Sequence, residues 1–207
     1  MPPHLFAQLG RLGLPVLALF AISTARAEYF WIDVDASGAS IQAGELLKPR
    51  TGRLEVQGAR AFAADGKTVA LEARAKGYHS AMIEGDLRFT ATRAEGTQLS
   101  IFHARYGRHE TRAVSDLELV PTSAEGNTFR LYWKGTPVAA SQALVSTSAG
   151  WSRVLRPQED GSVSFEPVFP ALYVLEVAAK INGTVTLDGR EYADVRHIAT
   201  LSFRVGP

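Results

Sequence analysis

The sequence predicts an all-β protein, two antiparallel β-sandwiches behind a removable leader, on three observations. After residue 27 no stretch keeps apolar residues at helical spacing for three turns. Short runs of alternating apolar and polar residues recur instead, the period at which one face of a strand is buried. Turn-forming pairs separate these runs, at Asp65-Gly66, Glu95-Gly96, Glu125-Gly126, Asp160-Gly161, Asn182-Gly183 and Asp188-Gly189. Strands this short bury their apolar faces against an opposed sheet, which is how a sandwich arises.

The first 27 residues read as a secretory leader. Arg11 and the amino terminus supply positive charge, Leu12 to Ile22 form an apolar run, and Ala25-Arg26-Ala27 offers the small-x-small pattern of a cleavage site. The run is about half of the roughly 20 residues that cross a bilayer. No cysteine occurs in the chain, so no lipid can be attached there. The expectation is a periplasmic protein cut after Ala27, with no stable membrane anchor thereafter.

The strands follow in order. Tyr29 to Asp33 opens the mature chain, with Phe30 and Ile32 on one face and Tyr29, Trp31 and Asp33 on the other. Val69, Leu71 and Ala73 mark one face of a second strand, and Leu87, Phe89 and Ala91 one face of a third. The most open stretch, Pro121 to Asn127, follows Leu117-Glu118-Leu119 and places a domain boundary there or just before it, at Ser115. The expected units are residues 1–27, 28–115 and 116–207. Beyond the boundary, Phe129, Leu131 and Trp133 share a strand face, as do Tyr173, Leu175 and Val177, and then Leu201, Phe203 and Val205.

Charge narrows the function. Without the leader's Arg11 and Arg26, 22 basic residues fall to 20 against 21 acidic, a net charge of −1. Such a chain has no electrostatic footprint for nucleic acid. The absence of cysteine removes disulfides, thiolate nucleophiles and zinc–thiolate sites. No G-x-S-x-G elbow, H-E-x-x-H, P-loop or G-x-G-x-x-G occurs, and the chain is read as a non-enzyme. Any metal site must draw on histidine, carboxylate, methionine or main-chain groups. His103 and His109, six apart in FHARYGRHE, share a face if the strand runs through both. With His79 they make a candidate nitrogen-rich set for nickel, cobalt or copper. Arg105, Arg108 and Arg112 nearby oppose a cation.

Lys134 to Val177 carries a more specific grammar: G-T-P-V at Gly135 to Val138, DGSVSF at Asp160 to Phe165, then Pro170 and LYVLEV at Leu172 to Val177. It resembles the transthyretin-like, or carboxypeptidase-regulatory-like, sandwich module. With SDLELVP at Ser115 to Pro121 and EYADVRHIATLSFRV at Glu191 to Val205, the chain is similar to a bacterial exported family described as periplasmic components of nickel/cobalt-type transport systems. The resemblance implies Ig-like/transthyretin-like domains, a divalent transition metal as cofactor and an inner-membrane metal transporter as partner. Family members often begin the mature chain with Ala-His-x-Phe-Trp; here Glu28 stands at the histidine, so a terminal amine–imidazole chelate is not expected. The leading reading is an accessory or binding protein for transition-metal uptake. The alternatives are a protein- or glycan-binding module using exposed aromatics such as Trp31 or Trp151, and a hydrolase with an unrecognised carboxylate site.

Overall fold

A computed structural model of the protein describes residues 28–81 and 83–206, together with the backbone of a two-residue strand, Leu17–Ala18. The expected cleavage after Ala27 lies outside the described residues. The described chain is strand, turn and loop with no helix, as the alternating pattern predicts.

One long sheet organises the molecule. Across it run Ser152–Leu155, Ala143–Thr147, Ala171–Ile181, Asp194–Val205, Gln98–Tyr106, Leu87–Glu95, Gln57–Phe62 and Thr68–Val69. Both halves of the chain contribute, and they join where Asp194–Val205 pairs with Gln98–Tyr106. That pairing is parallel, from Gln98 opposite Asp194 to Tyr106 opposite Ser202. The flanking ladders are antiparallel. Antiparallel pairing throughout was the expectation, and the seam departs from it. A parallel partner requires a long crossover, and here all of residues 107–193 intervene before the last strand returns.

Two smaller sheets cover opposite faces of the long one. Tyr29–Asp35, Gly38–Glu45, Gly77–Ser80 and Glu72–Arg74 form one, with Lys48–Pro49 at its side. It packs through Phe30, Ile32 and Ile41 against Phe89, Phe102, Leu172 and Val174. Leu117–Pro121, Thr128–Trp133 and Thr136–Val138, with Val163–Ser164, form the other. Its Leu119, Phe129 and Leu131 meet Tyr173, Leu175, Leu201 and Phe203. Odd and even residues of Ala171–Ile181 thus serve different cores, which is why that segment is nearly continuous in apolar residues, as doubly covered strands are.

Two local expectations need correction. Val69, Leu71 and Ala73 do not share one strand, because the chain leaves the long sheet after Thr68–Val69 and joins the covering sheet at Glu72–Arg74. Trp31 is not exposed but buried in the first core, together with Tyr29. The strand stacks flat on the long sheet, and Thr200 and Ser202 hydroxyls donate to the Phe30 and Ile32 carbonyls.

Candidate functional site

On Gln98–Tyr106, Phe102 and Ala104 face the first core, so His103 and Arg105 face the other way. His197 takes the same side of Asp194–Val205, in phase with Ala199, Leu201 and Phe203. The parallel register sets Ile101 opposite His197 and Ala199 opposite His103, and the two imidazoles meet on the diagonal. His103 Nε2 lies 3.0 Å from His197 Nδ1, and the rings are nearly parallel, 7° apart. The residues are 7% and 5% exposed. Trp133, half-buried, stands edge-on to His197 with ring centroids 4.7 Å apart.

The pair is held neutral. Desolvation lowers His103 to about 4, with Asp116 and Glu118 pulling the other way. Desolvation also lowers His197 to about 3, aided by the neighbouring His103 and by Lys134. One ring N–H therefore donates to the bare nitrogen of its partner. His103 Nδ1 has no hydrogen-bond partner among the described residues.

Two residues along the strand, Arg105 lies opposite Arg88, and the two are only 1% and 0% exposed. Glu118 holds both: its Oε1 accepts from Arg88 Nε and Arg105 Nη1, each at 2.9 Å, and its Oε2 accepts from the Val114 and Ser115 amides, each at 2.7 Å. Arg88 also pairs with Glu110 at 2.8 Å, and Arg105 with Asp86. Asp86 accepts the amides of His109 and Glu110 as well, each at 3.1 Å. Two guanidiniums thus face three carboxylates, and the network ties residues 107–118 to the sheet. Gly107 makes this possible, because at φ 102 a side chain there would overlap the Asp86 carboxylate.

Above the network opens a pocket of about 570 Å³, lined by Glu84, Tyr106, Arg108, His109, Glu125 and Arg204 among others. Its charges are largely spoken for. Arg204 grips Asp33 through two bonds of 2.8 and 2.7 Å, and Arg108 stacks 4.0 Å from the Phe203 ring.

The structure does not bring His79, His103 and His109 together. The strand carrying His103 ends at Tyr106, so His109 sits on the following loop, its side chain 73% exposed and its Nδ1 3.7 Å from Glu125. Next to His79, Tyr78 packs on the first core, which turns His79 outward, with its Nε2 3.1 Å from the Ser37 carbonyl. His103 meets His197 instead. Glu28 is engaged by Arg50 and Arg93, and Asp33 by Arg204. Among the described residues no group of three or more histidines and carboxylates could hold a metal ion. Sequence reading does not select Arg88, Glu118 or Asp86, does not place His197 in the site, and takes Arg105 only as a charge opposing a cation. A signal existed in Leu87-Arg88-Phe89 and Leu117-Glu118-Leu119, opposite charges each set between two apolar residues.

No protein-family model matches the chain, and no curated protein matches it.

Proposed function

We propose that this protein is an exported accessory or binding protein that handles a transition-metal ion for an inner-membrane uptake system, with the His103–His197 pair as its metal centre. The pair itself carries the reading. Two imidazoles are desolvated in exchange for one shared hydrogen bond, and a buried ring nitrogen is left without a partner. A net hydrogen bond is worth about 1 kcal/mol, whereas an unsatisfied buried group costs about 1–3 kcal/mol. On that balance the pair contributes little or negatively to the stability of the seam, which is the pattern of residues placed for function. The finer architecture belongs to the same reading: sandwich units over 28–115 and 116–207, the second transthyretin-like.

The test is elemental analysis of the protein after exposure to nickel(II), cobalt(II) and copper in either oxidation state, followed by desalting. One ion per chain, lost when His103 and His197 are both replaced by Gln, supports the reading; a metal-free protein under every condition refutes it. A second reading, a module binding a protein or glycan, draws on the pocket beside Tyr106 and Arg108. It predicts ligand-dependent protection of residues 106–110 without any metal.

A further inference from the structure

We propose that His103 Nε2 and His197 Nδ1 form a two-coordinate site for a monovalent closed-shell metal ion, cuprous copper, for which silver(I) is an inert probe. The proposal rests on the metal-binding reading above and names the ion that the donor set can satisfy.

The first consideration is how many donors are present. Nickel(II), cobalt(II) and copper(II) take four to six ligands, and imidazole is only one kind among them. Here two imidazole nitrogens face each other, and no third histidine or carboxylate completes a cluster among the described residues. Glu118, a buried carboxylate whose charge acts on His103, has both oxygens committed to two arginines and two amides. A d¹⁰ monovalent ion is complete with two ligands in line.

The second is charge. The free energy of burying an ion rises with the square of its charge, so a dication between two neutral ligands would cost about four times as much as a monocation. The surroundings suit a single positive charge. Asp116 and Glu118 act on His103 in the direction that favours a cation there, and Lys134 is the opposing charge at His197. The network behind the pair has three carboxylates for two guanidiniums.

The third is geometry and proton balance. At about 2 Å per metal–imidazole bond, a linear ion needs its two nitrogens about 4 Å apart. The pair must therefore open by roughly 1 Å from its present 3.0 Å, a movement that small rotations of two side-chain rings supply. In the hydrogen-bonded pair one proton lies between the rings. When the ion takes its place, that proton moves to the far nitrogen of the ring that donated it, and no proton is released at neutral pH. If His103 is the donor, the destination is Nδ1, the nitrogen without a partner.

The experiment uses the full folded chain under anaerobic conditions. Silver(I) is titrated in chloride-free buffer and copper(I) against a competing chelator, with nickel(II), cobalt(II) and copper(II) in parallel. We expect one monovalent ion per chain, a nitrogen-only two-coordinate X-ray absorption spectrum, and ring-nitrogen NMR shifts confined to His103 and His197. His103→Gln and His197→Gln should each weaken binding at least 100-fold, while His79→Gln and His109→Gln leave it unchanged. The ring-nitrogen shifts are read on the unsubstituted protein, so they decide the matter even if a variant fails to fold. Divalent binding at the pair without silver(I) or copper(I) binding would overturn the monovalent assignment and leave the metal function standing. Monovalent binding that shifts His109 or His79 instead would overturn the site. Absence of binding by every ion would overturn both.

Discussion

Acid should unfold the metal-free protein through His103 and His197, by an amount the structure sets. In an unfolded chain each imidazole takes up a proton near pH 6.5. In the fold burial delays this to about 4 for His103 and about 3 for His197. Both folded values lie below the unfolded one, so between them the unfolded chain binds more protons. The stability contributed by the neutral pair is complete above pH 6.5, is lost as pH falls, and stops declining below the folded values. From pH 7 to pH 5 the loss is about 2 kcal/mol for each ring, since 1.5 pH decades below 6.5 count 1.36 kcal/mol apiece. The pair together loses about 4 kcal/mol, a large part of an ordinary stability of about 5–15 kcal/mol. With a urea slope of about 2 kcal/mol per molar, the unfolding midpoint should drop by about 2 M. Aspartate and glutamate in the unfolded chain titrate near 3.9 and 4.3 and add little above pH 5. The assay is urea unfolding at pH 7, 6, 5.5 and 5 in the presence of a chelator, for the parent and for His197→Leu. The variant should show a clearly shallower decline. A midpoint that does not move between pH 7 and 5, or that falls equally in the variant, refutes the reasoning.

Glu118→Gln should destabilise by about 3–5 kcal/mol in chemical denaturation. It withdraws a charge from two buried guanidiniums and turns an amide NH₂ toward the Val114 or Ser115 amide or an arginine; a loss below about 1 kcal/mol would show the network to be well hydrated. Gly107→Ala should cost at least the roughly 1–3 kcal/mol of a strained backbone and speed hydrogen exchange at the His109 and Glu110 amides, which Asp86 holds. Unchanged exchange there would mean that Asp86 does not anchor the loop. Leu175→Ala should cost about 2–5 kcal/mol, because Leu175 is fully buried between Val145 and Leu201 on the central strand; a change under about half a kcal/mol would put it outside the core.

The strand content was legible because alternation is a local property. Tyr173, Leu175 and Val177 share one buried face, as do Leu201 and Phe203, which is what their alternation implies. What alternation cannot reveal is which face a strand turns to which partner. Leu172 and Val174 are as buried as their neighbours, against a sheet built from residues more than ninety positions earlier. The split of Thr68–Val69 from Glu72–Arg74 was hidden for the same reason, since a change of sheet leaves the apolar pattern intact.

The candidate site was less legible because its residues meet through the one parallel seam. His103 and His197 are 94 positions apart, and nothing in FHARYGRHE or REYADVRHI records that these segments lie side by side. Proximity in sequence favoured His109 over His197, but it holds only while the strand continues, and the positive φ of Gly107 ends it. The arginines misled in a second way. Read along the chain, Arg105, Arg108 and Arg112 form a basic cluster hostile to a cation. In the fold, Arg105 is neutralised by Asp86 and Glu118 and Arg108 leans over Phe203. The outside charges acting on the histidines come from beyond the expected boundary at Ser115, Asp116 and Glu118 at His103 and Lys134 at His197. Charge counted along a strand is therefore a poor guide to the potential inside a sheet sandwich, where the counter-ions come from the opposite layer.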